Sequence, residues 1–380
     1  MWLALAITAI LVSALFCGQR TWPLLFSSSI VATYTGPCDL VTCAEAYSVT
    51  RAMTRNYTGP LFQIVNVNTG VTLDIGEIMQ KKANTSTWSR FCNGQTAVCR
   101  INKFYSQIHV GANNLSPDIG VDAFCMSAPT INCASPFAIE AATGLFVANV
   151  VEPAKFSIGS SDNAAVGING GTGPNTVMMN GQVPSPTTGI CGGSFGVSHI
   201  CTTTVCVDTG NTMNEVGLFY GTSGSIACGS ASNWCPEADY EGQGDSGPDL
   251  TTQKNVIFMN SVLPNTSNFT YLTQGVLNGV TQWNRSRHTG GSPGMVLGTR
   301  LRLGAGGDFC QPSPIVFREA LITNTRMAAS DEAAVRANMM AFYSGLSFPS
   351  ASTAPLKLIT AANAGTTSAQ LKLSPTPHPM

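Results

Sequence analysis

Acidic side chains are scarce in this chain, 20 among 380 residues, so the places where they gather carry weight. The densest gathering is Trp234-Cys235-Pro236-Glu237-Ala238-Asp239-Tyr240-Glu241-Gly242. Read as a strand, it turns Glu237, Asp239 and Glu241 to one face, because side chains alternate with a period of two. Three like charges on one face cost energy unless that face is wet or functional. A solvated edge that deters aggregation is the plain structural alternative. A second acid is presented differently. In Leu303-Gly304-Ala305-Gly306-Gly307-Asp308-Phe309 an apolar strand end runs into glycines, which free the backbone and leave room for a ligand. Asp308 stands at that turn, although an aspartate in a glycine-rich turn is also a common structural feature. Two carboxyl groups flanking a cleft support a defined chemistry. One protonates the leaving oxygen of a glycosidic bond, and the other attacks the anomeric carbon or activates water.

Short strands are the elements that must position these acids. Leu61-Phe62-Gln63-Ile64-Val65, Leu145–Val150, Val216-Gly217-Leu218-Phe219-Tyr220 and Val256-Ile257-Phe258-Met259 are rich in β-branched and aromatic residues and bounded by Gly, Asn, Ser or Pro. The 38 glycines supply many tight turns. An all-β sandwich follows. Two helices are predicted, a short one over Cys43–Met53 and a closing one over Ser330–Tyr343. The second has an acidic first turn, apolar positions at helical spacing and Ser330 as N-cap.

Hydrophobic residues make up 44% of the chain and charged residues only 10%, against roughly 25% charged in an ordinary soluble protein. A core is available, and Ser, Thr, Asn and Gly must cover the surface. The net charge of −1 and the absence of a basic run argue against nucleic acid as a partner. The apolar run Trp2–Phe16 is shorter than the ~20 residues of a membrane span and reads as a signal peptide. No Lys or Arg precedes it and Arg20 follows it, so an uncleaved anchor is the alternative, and a membrane is a partner only in that case. Thirteen cysteines, one of them Cys17 in that run, leave an even number from Cys38 to Cys310, as disulfides in an oxidising compartment require. Neither CxxC pairs nor clustered histidines occur, so no structural metal and no cofactor is expected. Sequons at Asn56, Asn84, Asn114, Asn265, Asn268 and Asn284 fit secretion. The expected organisation is a leader over 1–35, one β domain over 36–348 and a flexible Ser/Thr/Pro-rich tail over 349–380.

An ordered set of motifs resembles glycoside hydrolase family 54. Gly36-Pro37-Cys38-Asp39, Cys43, Ser48-Val49-Thr50-Arg51-Ala52-Met53 and Gly59-Pro60-Leu61-Phe62-Gln63 are similar to its opening. Phe91-Cys92 with Cys99 is similar to its next short disulfide loop. Tyr105, Gln107 and Asn114-Leu115 echo its Y-D-Q-S-G-N-G-N-H-L segment, with Ser106 in place of the aspartate. Cys206, Asp208, Gly210 and Asn211 resemble its C-x-D-x-G-N segment, and Trp234 with Asp239-Tyr240-Glu241 its W…D-M-E segment. Leu303–Asp308 is similar to L-G-I-G-G-D, and Phe317-Arg318-Glu319-Ala320 to the closing F-Y-E-G. The resemblance implies a two-sheet β-sandwich of the concanavalin-like jelly-roll kind with a C-terminal helix. It also implies a secreted enzyme that releases terminal α-L-arabinofuranosyl groups, with retention, from arabinose-containing polysaccharide. Carried over by position, Glu241 is the nucleophile and Asp308 the general acid/base. Asp239, Asp208, Asn211, Trp234 and Gly307 fall on the sugar-binding positions. Cys38–Cys43 and Cys92–Cys99 are the expected disulfides, with Cys125–Cys133 suggested by proximity; the remaining pairings stay open.

The chain departs from the family in three ways. Val205 precedes Cys206 where the family has two adjacent cysteines in a vicinal disulfide, so Cys201 is left as a partner for Cys206. Gly242-Gln243 follow Glu241 where the family has Asn-Asn. The family's C-terminal arabinose-binding module has no counterpart here. Two other readings compete. Glu237-x-Asp239-x-Glu241 is similar to the E-x-D-x-E strand of family 16 β-glucanases, but along a strand the Cα atoms of Glu237 and Glu241 stand about 13 Å apart. A sandwich that keeps its acids by ancestry alone would be a non-catalytic sugar-binding or adhesion protein.

Overall fold

The β-branched and aromatic runs fold as strands wherever they are described. The computed structural model describes residues 34–78, 81–117, 129–150, 156–158, 166–168, 174–182, 192–198, 216–220, 222–223, 226–227, 234–237, 255–265, 270–288, 300–303 and 315–348. Along the chain these hold β1 (Glu45–Ser48), β2 (Phe62–Asn66), β3 (Thr72–Ile75), helix α1 (Thr85–Phe91), β4 (Cys99–Phe104), β5 (Leu115–Pro117) and the short helix α2 (Pro129–Asn132). Then come β6 (Phe137–Ile139), β7 (Phe146–Val150), β8 (Phe156–Ile158), β9 (Asn175–Gln182), β10 (Gly192–Ser198) and β11 (Val216–Tyr220). They are followed by the two-residue strands β12 (Thr222–Ser223) and β13 (Ile226–Ala227), then β14 (Trp234–Glu237), β15 (Asn255–Asn265), β16 (Thr270–Leu277) and β17 (Val280–His288). Strands β18 (Arg300–Leu303) and β19 (Ile315–Thr323) precede the closing helix α3 (Ala329–Phe342). Among the described residues no helix is long and apolar enough to cross a membrane. Residues 1–33 of the expected leader and the whole expected tail over 349–380 lie outside them.

Two large antiparallel sheets result, besides the small β12-β13 pair. The first runs β17-β16-β15-β9-β19-β7-β6, with β1 also paired to β19; the second runs β14-β11-β10-β18-β8-β5-β4-β2-β3. Their inner faces meet through aromatic rings. Phe62 of the second sheet stands edge-on to Phe146 of the first, centroids 5.0 Å apart. Phe104 is edge-on to Phe156 at 4.7 Å and, across the layers, to Phe317 at 5.6 Å. Such edge-to-face pairs add to the burial of their area. The two-sheet sandwich with a C-terminal helix is therefore the observed architecture.

The period-two pattern of the first sheet shows what lies on each side. Val177 and Met179, Val256 and Phe258, and Ala320 and Ile322 point into the sandwich, while Met178, Ile257, Met259 and Leu321 point outward. The outward set is buried too, beneath Val335 and Met339 of α3. A sheet covered on both faces reads as a continuous apolar run. Burying each of those two helix side chains is worth about 1.5–3 kcal/mol.

The helix predicted over Cys43–Met53 is a strand instead. Glu45–Ser48 pair with Ile322–Glu319, so the segment is β1. Its alanines favour a helix, but Ala46 is buried in the outer layer and Tyr47 in the inner one. Burial on alternate sides suits a strand, and tertiary packing overrides propensity. The closing helix is as expected, except that its N-cap is Ala328 rather than Ser330, with no side-chain cap. The Met327 N–H donates to Thr176 Oγ1 at 2.8 Å, which fixes the chain just before a helix that starts two residues early and takes Ser330 into its first turn. Asp331 and Glu332 complement the helix dipole there. Cys38–Cys43 and Cys92–Cys99 are bonded as expected. Cys133 is also in a disulfide, while Cys125 lies outside the described residues.

Motifs far apart in sequence meet in one buried polar network. Arg51 donates from Nε and Nη2 to the two carboxylate oxygens of Glu319, both at 2.8 Å, and neither side chain is more than 1% exposed. The Phe342 ring of α3 covers the guanidinium at 4.2 Å. Thr50 Oγ1 and the Tyr343 hydroxyl share a hydrogen bond of 2.5 Å. The Met53 N–H donates to Gln107 Oε1 at 2.6 Å. At Gly36 the backbone passes so near the Met53 carbonyl that any Cβ would collide with it. Removing one partner of a buried pair strands the other charge. Arg51→Ala is expected to lower unfolding free energy by about 3–5 kcal/mol, and Arg51→Met with Glu319→Leu by clearly less. Urea denaturation of the three proteins checks this; equal losses for the single and double variants would refute it.

Candidate functional site

Strand β14 leads into the acid-rich segment. Glu237 is in register with Gly217 of β11, Gly217 with Gly196 of β10, and Gly196 with Arg302 of β18. One row thus crosses four strands, about 14 Å end to end at about 4.8 Å per strand. Its two middle positions are glycines and carry no side chain. Trp234 opens β14 opposite Tyr220. Asp208, Asn211, Asp239, Glu241, Gly307 and Asp308 lie outside the described residues, as do Cys201 and Cys206.

The topology constrains how the two expected catalytic acids can meet. Three successive antiparallel pairings separate β14 from β18, so these strands run in opposite directions. Asp239 and Glu241 follow β14 from one end of the sheet, and Gly307 and Asp308 follow β18 from the other. Straight continuation of both strands would carry Glu241 and Asp308 about 33 Å apart along the sheet, at about 3.3 Å per residue. A working pair therefore needs at least one of the segments 238–241 and 304–308 to turn back.

A second polar centre is described in full, and sequence reasoning missed it. Glu45 of β1 is wholly buried. Its Oε1 accepts from Ser106 Oγ at 2.7 Å and from the Ala46 N–H at 2.8 Å. Its Oε2 accepts from Asn113 Nδ2 at 2.7 Å and lies 3.4 Å from His109 Nδ1. Asn113 also donates to the Val166 carbonyl and accepts from the Val166 N–H, both at 2.8 Å. The His109 ring lies against Gly167, where φ is +74° and a Cβ would collide with the ring. The Asn324 side chain donates to the Gly167 carbonyl at 2.7 Å. One carboxylate thus ties together β1, the loop 105–114 and the turn 166–168. Burial pushes the Glu45 carboxyl above its ordinary 4.5; the hydrogen bonds from Ser106, Ala46 and Asn113 and the nearby His109 act the other way. The sequence signal was a lone acid between two alanines. Ser106, which stands where the family pattern has an aspartate, here donates to a carboxylate supplied by another strand.

The fold is that of a class of sugar-cleaving β-sandwiches. The solved structure of an arabinofuranosidase complexed with arabinofuranosyl-α-1,2-xylobiose superimposes with a TM-score of 0.63 at 19% identity, covering 81% of this chain and 65% of that one. A GH54 α-L-arabinofuranosidase soaked with a cyclic sulfate inhibitor gives 0.62 at 18% identity, covering 83% and 68%. At that identity the likeness is one of fold. The family model for the catalytic domain of α-L-arabinofuranosidase B matches residues 37–344, and the chain belongs to that family. Among curated relatives, an α-L-arabinofuranosidase of Hypocrea jecorina is 37% identical over 86 residues, which are 21% of this chain and 16% of the relative. The α-L-arabinofuranosidase B of Emericella nidulans is 28% identical over 232 residues, 57% of this chain and 42% of the relative. The chain therefore spans less than half the length of these relatives.

The raised Glu45 pKa fixes the sign of a pH effect. A carboxyl that titrates higher in the fold than in the unfolded chain contributes stability that is complete below the unfolded value, 4.5. That contribution is lost as pH rises through the folded value. Wild type minus Glu45→Gln is therefore expected to fall in unfolding free energy from about pH 4 to about pH 7. Urea titrations at stepped pH measure it, and a difference that rises with pH would contradict the assignment.

Proposed function

We propose that this chain is a secreted, retaining α-L-arabinofuranosidase that releases terminal arabinofuranosyl groups from arabinose-containing polysaccharide or oligosaccharide. The observation that carries the reading is the family match across nearly the whole β domain, residues 37–344. The solved structure with an arabinofuranosyl-xylobiose on a sandwich of the same fold supports the substrate class. Two short disulfide loops and a disulfide-bonded Cys133 support an oxidising compartment.

In this reading Glu241 attacks the anomeric carbon while protonated Asp308 gives its proton to the leaving oxygen. A glycosyl-enzyme ester forms on Glu241. Asp308, now ionised, takes a proton from water, and that water cleaves the ester with net retention. The two carboxyls must come within about 5–5.5 Å of each other for this chemistry. An ionised Glu241 at that distance favours the protonated form of Asp308. Asp239 and Asp208 accept sugar hydroxyls, Asn211 and the Gly307 backbone donate, and Trp234 offers a ring face.

Asp308→Asn is expected to lower kcat/KM on a p-nitrophenyl arabinofuranoside by about 10²–10⁴-fold, the usual share of general acid–base catalysis. Glu241→Gln should abolish turnover. Near-wild-type activity in Asp308→Asn would favour the β-glucanase-like pair, with Glu237 as nucleophile and Glu241 as acid/base, and sink the pair proposed here. Sugar binding with no hydrolysis by the wild-type protein would leave a non-catalytic sandwich.

A further inference from the structure

We infer that Asn84 is an N-glycosylation site whose glycan covers the open edge of the second sheet. The inference rests on the extracellular part of the preceding reading and not on its chemistry.

Asn84-Thr85-Ser86 has the sequence of an acceptor. Its local fold separates the two ends of the carboxamide. Asn84 Oδ1 accepts from the Ser86 N–H at 3.1 Å and from Ser86 Oγ at 2.7 Å, which caps α1. Nδ2 makes no hydrogen bond among the described residues. A glycan on Nδ2 therefore leaves the cap intact, and the hydroxyl that an acceptor needs two residues on already lies against the amide. The sequon at Asn114 is built differently. Asn114 Oδ1 holds the Ser106 N–H at 3.0 Å, and Leu115 and Ser116 belong to β5, with strand partners on both sides.

The surroundings of Asn84 show what a glycan would do. Among the described residues strand β3 ends its sheet and pairs only with β2. Such an edge offers unpaired backbone groups to other chains unless charge, proline or a cover blocks it. Val71, just before β3, is 56% exposed, and Ile78, just after it, is 46% exposed. The Asn84 N–H donates to the Gly76 carbonyl at 2.9 Å, which seats the sequon beside the end of β3. β3 carries one charged side chain, Asp74, and a bulky hydrated oligosaccharide adds cover to that edge.

The co-reactant is an oligosaccharide carried on a polyprenyl diphosphate. A bond forms from Asn84 Nδ2 to the anomeric carbon, and the bond from that carbon to the diphosphate oxygen breaks. The polyprenyl diphosphate leaves with the electron pair, and Nδ2 gives up one proton.

The full chain is expressed in a yeast with a working secretory pathway. Secreted protein is treated with a glycan-releasing amidase in heavy-oxygen water, and the converted asparagines are mapped by mass spectrometry. Asn84 is expected to be occupied and Asn114 not. After the same glycan-releasing treatment, Asn84→Asp should melt like treated wild type, because its carboxylate keeps the cap, whereas Asn84→Ala should melt lower; before treatment each variant should carry one glycan fewer than wild type. Secreted protein bare at Asn84 overturns the inference and leaves the enzymatic reading standing. Protein retained unglycosylated in the cytosol overturns both the inference and the extracellular part of that reading.

Discussion

The buried pair of Arg51 and Glu319 is the constraint on which much of the rest depends. Both charges are out of water, and such an arrangement is tolerable only when each meets the other with near-ideal geometry. Glu319 belongs to β19, the strand that pairs with β9, β7 and β1 and so organises the first sheet. Arg51 follows β1, and the Phe342 ring that covers it comes from the last turn of α3. One ion pair therefore holds the start of the domain, the central strand and the closing helix together. It also fixes β1 on β19, and with β1 comes the buried Glu45.

From that frame the two layers differ in kind. The first sheet is apolar on both faces, one against the second sheet and one beneath α3. Its central strands β9, β15 and β19 are long, 8, 11 and 9 residues, and burial on both sides holds their register, since a one-residue slip would move every side chain to the opposite layer. The second sheet carries the short strands β14, β11, β10 and β18, and glycines at 217 and 196 stand in its central row. The first sheet is built for stability. The second carries the strands that lead into the expected chemistry, which suits a scaffold that positions loops for function.

Glu45 and His109 show how polar groups are used inside this core. A carboxylate with four polar neighbours ties two loop segments to the first sheet, where an apolar side chain would only fill space. Directional bonds hold the loop 105–114 and the turn 166–168 in one arrangement. Tyr47, next along β1, adds a further tie, its hydroxyl donating to the Asn113 carbonyl at 2.5 Å.

The sequence by itself determined the class of fold, because alternating apolar runs between glycine-rich turns bury well only as stacked sheets. It also determined the two short disulfide loops, the closing helix and the family, through motifs whose order is visible without coordinates. Tertiary structure alone decided that Cys43–Met53 contains a strand, since the alternate burial of Ala46 and Tyr47 depends on layers distant in sequence. It alone decided that Arg51, Gln107 and Glu319, legible as parts of motifs, serve the frame. The pairing of residues 268 positions apart is set by topology, to which local pattern is blind. The same reason governs the carboxylates. The acid cluster, the glycine-rich turn and above all the family resemblance singled out Glu241 and Asp308, but the opposed directions of β14 and β18 follow from three strand pairings that no local pattern contains.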